Sequence, residues 1–189
     1  MTKLLLNSTG CYFLFLALGL TLSGCSTESL ADQQAENSQN LTLYAKQSTS
    51  KKDKMNFTTH LSGDNEVPAR KTNATGQVIV QINKDESSIH FKLIVANVQT
   101  NITGAHFHMG PVGANAGVVV NLLNISDVTP NTNAPVNGIL AEGTITASNL
   151  SGALANKPLS DLISAIRAGN IYINAHTTTY PGGEIRGQL

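Results

Sequence analysis

SIHFKLIVANV, residues Ser88–Val98, decides the fold. Ile89, Phe91, Leu93 and Val95 fall on every second position, with His90 and Lys92 between them. Successive strand side chains point to opposite faces, so this alternation describes a strand with one face buried and one in water. Upstream, Gly76–Ile82 (GQVIVQI) sets Val78, Val80 and Ile82 on one face, and Asn83–Ser87 is a polar hairpin turn. Further upstream, Phe57, Thr59 and Leu61 alternate with Thr58 and His60, followed by the turn-rich Ser62–Ala69 (SGDNEVPA). Downstream, Ile102–His108, Gly117–Leu123, Ile139–Ala147, Ile171–His176 and Glu184–Leu189 read as further short strands. Tyr180-Pro181-Gly182-Gly183 joins the last two, and Pro followed by Gly predicts a type II turn with positive φ at the glycine.

One segment breaks the period. Pro158–Ala168 (PLSDLISAIRA) carries Leu159, Leu162, Ile163 and Ile166 at helical spacing. Pro158 suits its start and Gly169 its C-terminal cap. The expected fold is all-β: an antiparallel, Greek-key-like β-sandwich of about seven or more short strands, with one short amphipathic helix covering an open end.

The N-terminus reads differently. Met1–Gly24 has one charge at Lys3, then an apolar run from Cys11 to Leu22. That is a secretory leader, and the run is short for a membrane span of about 20 residues. Leu22-Ser23-Gly24-Cys25 resembles a bacterial lipobox, in which cleavage precedes the cysteine and the cysteine carries lipid. Cys25 is therefore the expected lipid anchor, and Ser26 after it resembles the signal that sorts lipoproteins to an outer membrane. The expected location is the bacterial cell envelope, at the outer membrane or cell surface. Residues 25–55 (to Met55) are polar and rich in Ser, Gln and Lys, a tether of too little apolar surface to order itself. The domain proper then spans 56–189.

Composition removes several function classes. The chain has 12 basic and 12 acidic residues and no clustered cationic stripe, so nucleic acid is not an expected partner. Its two cysteines are Cys11, in the leader, and Cys25, so the domain has no thiol chemistry, no thiolate metal site and no disulfide. There is no Gly-x-Ser-x-Gly elbow, no phosphate loop and no His-Glu-x-x-His helix. Gly110–Gly117 (GPVGANAG) is glycine-rich, but no Lys-Ser/Thr pair follows it.

His106 and His108 carry the chemistry that remains. Two residues apart on a strand, they share a face. His-x-His on a strand is a recurrent arrangement for copper or zinc, and imidazole suits both metals. His176, near the end of the penultimate strand, is a candidate third ligand, and Glu184 a candidate fourth across the hairpin. Two readings stay open: a mononuclear site for one copper or zinc ion, or a hydrogen-bonded frame in which the histidines bond Asn174, Thr177 or Thr178. His60 and His90 are expected on solvent faces. Glu184 and Arg186 share a strand face, where an ion pair is expected.

Four pieces together resemble the CHRD domain, the module named after chordin. They are Leu61–Ala69 (LSGDNEVPA), Ile102–Val120 with Gly104-Ala105-His106-Phe107-His108, Leu159–Gly169 (LSDLISAIRAG) and Asn170–Leu189 (NIYINAHTTTYPGGEIRGQL). Within these pieces Gly104, Asn174, Pro181, Gly182, Gly183 and Arg186 stand as structural signature positions. The resemblance implies a secreted or surface module, often a lipoprotein in bacteria, that engages a protein or matrix ligand without established catalytic residues. The central stretch is also somewhat similar to copper-zinc superoxide dismutase. Against that stand the missing disulfide cysteine and the lack of a second His- and Asp-rich metal loop after Gly110-Pro111. The expected function is a non-enzymatic binding module. Its alternative is a mononuclear copper or zinc protein, and a metal-dependent redox enzyme follows behind.

Overall fold

A computed structural model describes residues 54–125 and 131–189, together with the single residue Gln39. The leader, Cys25 and nearly all of the tether lie outside the described residues. Among the described residues eight strands form: β1 (Asn56–Ser62), β2 (Thr75–Ile82), β3 (Ile89–Val98), β4 (Ile102–Met109), β5 (Val118–Asn121), β6 (Val136–Ile145), β7 (Ile171–Thr177) and β8 (Ile185–Gln188). Helix α1 (Leu159–Arg167) precedes β7.

The alternation in Ser88–Val98 does what it predicts. In β3, Ile89, Phe91, Leu93 and Val95 are buried, while His90 and Lys92 are part-exposed beside Glu142 of β6. The β2–β3 hairpin pairs Val80 with Phe91 and Val78 with Leu93, so the buried residues of the two strands stack on one face.

All pairings are antiparallel, in the order β5-β4-β7-β8-β1-β2-β3-β6. This is the expected all-β antiparallel fold with one helix, and its strands form one continuous, curled sheet. Its two four-stranded halves are joined by the single residue pair Ser62–Arg186 between β1 and β8. The ends of the strand order come back together. Leaving β6, Leu150 bridges Val120 of β5, and the Ser151 N–H donates to Val119 O at 2.9 Å. The sheet therefore curls around one core, to which Leu61, Phe91, Phe107, Val120, Leu140 and Ile173 all contribute.

Helix α1 buries Leu159, Leu162, Ile163 and Ile166 in that same core. It stops where the sequence says: Gly169 takes φ +75°, a left-handed conformation that a glycine adopts without cost. At this end Arg167 pairs with Glu86 of the β2–β3 turn at 2.7 Å.

The register between β4 and β7 positions the site. It sets His106 opposite Asn174, His108 opposite Tyr172 and Gly104 opposite His176. Ala105 and Phe107 point into the core on the other face.

Candidate metal centre

Residues 106 and 108 of β4 and 172, 174 and 176 of β7 share one face of adjacent strands, so pleating alone gathers three imidazoles, a phenol and an amide. The histidine ligand atoms lie within 4.8 Å of one another. Two loops close over them. The loop after β4 brings Ala116 O to 2.8 Å from His108 Nδ1, and the turn after β7 brings Pro181 O to 2.8 Å from His176 Nδ1. His108 and Asn174 are buried, and His106 and His176 form the part-exposed side of the cluster.

These backbone contacts fix the tautomers. A carbonyl oxygen can only accept, so His108 and His176 each carry their proton on Nδ1. In the neutral rings both Nε2 atoms are then bare lone pairs. Both face the same acceptor: Asn174 Oδ1 lies 3.0 Å from His108 Nε2 and 3.0 Å from His176 Nε2. His106 Nδ1 lies 3.0 Å from His176 Nε2. The two neutral rings supply two protons to four carbonyl contacts, so two of the four are left without one.

Protonating the rings would mend the deficit, but the site opposes it. Burial, then the neighbouring His176 and His108, lower the pKa of His106 to about 4. Burial also lowers that of His108, against the raising effect of its hydrogen bonds to Ala116 and Asn174. Near neutral pH the His106 ring is therefore uncharged, and the same burial favours the uncharged form of His108.

The amide is held from its other side. An added Cβ at Gly183 would strike Glu66 Oε1 and stand 2.9 Å from Asn174 Nδ2, so the amide nitrogen and the Glu66 carboxylate meet across this glycine. Gly183 also takes φ +116°, which disfavours any side chain there. Glu66 is buried, and burial raises its pKa. Arg186, the Val67 N–H, Asn174 and Arg70 pull it back. Oε1 itself still has no partner in good hydrogen-bonding geometry among the described residues.

The chain matches the CHRD domain family over residues 57–189. It belongs to that family. Searches of curated proteins and of solved structures return no match. Among the described residues the CHRD match covers β2 to β8, α1 and all of β1 but Asn56, so the histidine cluster lies inside the family's own domain.

Of the four expected ligands, the CHRD fold brings together His106, His108 and His176 and leaves Glu184 out. The Glu184 carboxylate accepts from Thr72 Oγ1 at 2.6 Å and Thr177 Oγ1 at 2.7 Å, and it lines a separate polar groove with Asn97 and Tyr180. Its partners are hydroxyls, which satisfy both oxygens and leave none for the imidazoles. The expected Glu184–Arg186 ion pair does not form either. Arg186 donates to Ala114 O at 2.8 Å and Asn115 Oδ1 at 3.3 Å, with its guanidinium 3.4 Å from the Tyr172 ring centroid. The Tyr180–Gly183 turn closes with Gly183 N–H on Tyr180 O at 3.0 Å, but the positive φ falls on Gly183 and not on Gly182. The turn is thus not type II; the glycine that must be glycine is the one under Glu66. His60 is exposed, and His90 lies 3.2 Å from Glu142, both away from the cluster.

Glu66 and Tyr172 belong to the site without having been singled out in the sequence. Tyr172 was discoverable, since it shares the strand parity of Asn174 and His176. Glu66 was not: a lone acid in a turn says nothing of the segment folded against it.

Proposed function

We propose that this CHRD protein is a lipid-anchored, extracytoplasmic binding module, not an enzyme, whose ligand is one copper or zinc ion held by His106, His108 and His176. The observation that carries the proposal is the proton deficit. Two bare imidazole nitrogens lie 3.0 Å from one amide oxygen, and the one ring proton that can reach either of them is that of His106, whose Nδ1 lies 3.0 Å from His176 Nε2. A cation at their meeting point turns three mutually repelling lone pairs into ligands. With Asn174 Oδ1 facing the rings, a fully hydrogen-bonded frame would need a further proton on one of them, and burial works against that charge on His108. Imidazole donors favour Cu2+ and Zn2+ over the harder divalent ions, with Cu2+ bound more tightly.

The leader-like N-terminus and the polar tether support a location outside the cytoplasm. Cys25, the lipobox-like Leu22–Cys25 and the polar linker support a membrane attachment through lipid, at the outer membrane of the cell envelope.

Elemental analysis tests the metal. The full chain, solubilised in mild detergent and loaded with Zn2+ or Cu2+, is expected to retain close to one equivalent, and the His106→Ala/His108→Ala variant almost none. A metal-free wild type would return the histidines to a purely structural frame. For the anchor, Cys25→Ala should move the protein from the membrane to the soluble fraction, and unchanged membrane association would refute lipidation.

A further inference from the structure

We infer that Asn174 Oδ1 is a fourth donor to the metal, and that Glu66, meeting the amide nitrogen across Gly183, holds it there. The inference rests on the metal reading above and adds a ligand that neither a His/Cys/Asp/Glu pattern nor the His-x-His motif contains.

Geometry comes first. Oxygen and nitrogen ligands at about 2.0–2.1 Å from a tetrahedral zinc stand about 3.3 Å apart. Asn174 Oδ1 is 3.0 Å from both His108 Nε2 and His176 Nε2, so these contacts need only a few tenths of an ångström of expansion, while the histidine ligand atoms, spread over up to 4.8 Å, must draw together for all three to reach one ion. His106 Nδ1 extends the same chain of contacts at 3.0 Å from His176 Nε2. The second point is orientation. A carboxamide can turn either end toward the rings, and with Nδ2 inward it would donate to both lone pairs and leave nothing for a metal. The buried Glu66 carboxylate, beside Nδ2, selects the outward nitrogen and the inward oxygen. Residues 174 and 66 are both buried, so neither orientation is set by water.

The donor set is then three nitrogens and one neutral oxygen, all from protein. It lacks thiolate and thioether and so disfavours Cu+ relative to Zn2+ and Cu2+. It also occupies the position that an exchangeable water would take in an open site. That is the arrangement of an ion held, not of an ion at work.

Competition between the solubilised full chain and a chromophoric chelator gives the Zn2+ affinity of each variant. Asn174→Ala and Glu66→Ala are each expected to bind about 10- to 100-fold more weakly, the usual effect of losing an outer ligand or its support. Glu66→Gln keeps a carbonyl acceptor for Nδ2 and should stay within about threefold of wild type. The exchange variant Asn174→Asp/Glu66→Gln restores an amide–carboxylate contact in reverse and offers the metal an anionic oxygen. It should bind Zn2+ at least as tightly as wild type, and it keeps the question answerable if Asn174→Ala fails to fold. Wild-type binding with Asn174→Ala unchanged, or with the exchange variant as weak as Asn174→Ala, overturns the fourth donor and leaves the three-histidine site standing. A wild type that binds no Zn2+ overturns both.

Discussion

His108 and Tyr172 lie face to face, their ring centroids 4.6 Å apart and their planes 2° from parallel, and Arg186 covers the far side of the tyrosine at 3.4 Å. The stack runs from a buried cation, through a phenol, to a candidate ligand. Its parts are cross-tied: the Tyr172 hydroxyl meets the Ala116 N–H at 3.0 Å, and Ala116 O takes the His108 proton. Arg186 holds the same loop one step earlier, through Ala114 O and Asn115.

Arg186→Lys therefore removes more than it keeps. A lysine retains the charge opposite Glu66 but loses the planar face over Tyr172 and one of the two donors to the loop. We expect a loss of about 2 kcal/mol, which lowers Tm by roughly 4–8 °C for a domain of this size. Thermal unfolding followed by circular dichroism reads this directly. An unchanged Tm would mean that the loop over His108 is held by something other than the arginine.

Stability should depend on pH through His106. Its folded pKa, about 4, lies below the ordinary 6.5, so the unfolded chain binds the proton more readily. The contribution of the neutral ring is complete above about pH 6.5 and is lost as pH falls toward 4. His108, also lowered, acts in the same sense. Glu66, with its pKa raised, acts in the opposite one, because its folded form gains the proton earlier. Discounted for partial exposure, the His106 contribution is on the order of 1–2 kcal/mol. Melting curves of the metal-free protein between pH 7.5 and 4 should show it as the difference between wild type and His106→Gln. Parallel curves for the two proteins would sink the assignment.

The strands were legible because their faces differ. Ile89, Phe91, Leu93 and Val95 could be assigned to the core from parity alone, and parity also placed His106 beside His108. The long-range partners follow a different logic. Nothing in Leu61–Ala69 says that Glu66 comes to rest against Gly183, since that depends on β8 lying beside β1 through the single pair Ser62–Arg186. Glu184 was misplaced for a related reason. Sequence proximity to the turn suggested reach, whereas Thr72, supplied from before β2, decides where the carboxylate bonds. Periodicity reports which face a residue takes; it does not report which loop closes over that face.

Gly104 makes room for the outermost ring. A Cβ there would lie 2.9 Å from His106 Cε1 and 3.2 Å from its Nε2, closer than real side chains pack. Gly104→Ala should displace the His106 imidazole without touching the buried pair His108 and Asn174. The expected result is about tenfold weaker Zn2+ binding, with a loss of about 1 kcal/mol or less in the stability of the metal-free protein. Chelator competition and thermal unfolding on the same sample separate the two effects. Unchanged affinity would show that His106 is not a ligand, and would leave His108, His176 and Asn174 as the donor set.

Glu184→Gln tests the residue that the sequence pointed to and the fold turned away. Its carboxylate serves two threonine hydroxyls, at 2.6 and 2.7 Å, and ties the segment before β2 to the β7–β8 turn. Glutamine keeps one acceptor and must present an amide donor to the other hydroxyl. Hydrogen bonds to a charged acceptor are about twice as strong as neutral ones, so a loss of about 1–2 kcal/mol is expected. Zn2+ affinity should stay within about twofold of wild type, because the carboxylate has no part in the cluster. A variant that keeps its Tm but loses its metal would put Glu184 back among the ligands, and would require the β7–β8 turn to rearrange when the ion binds.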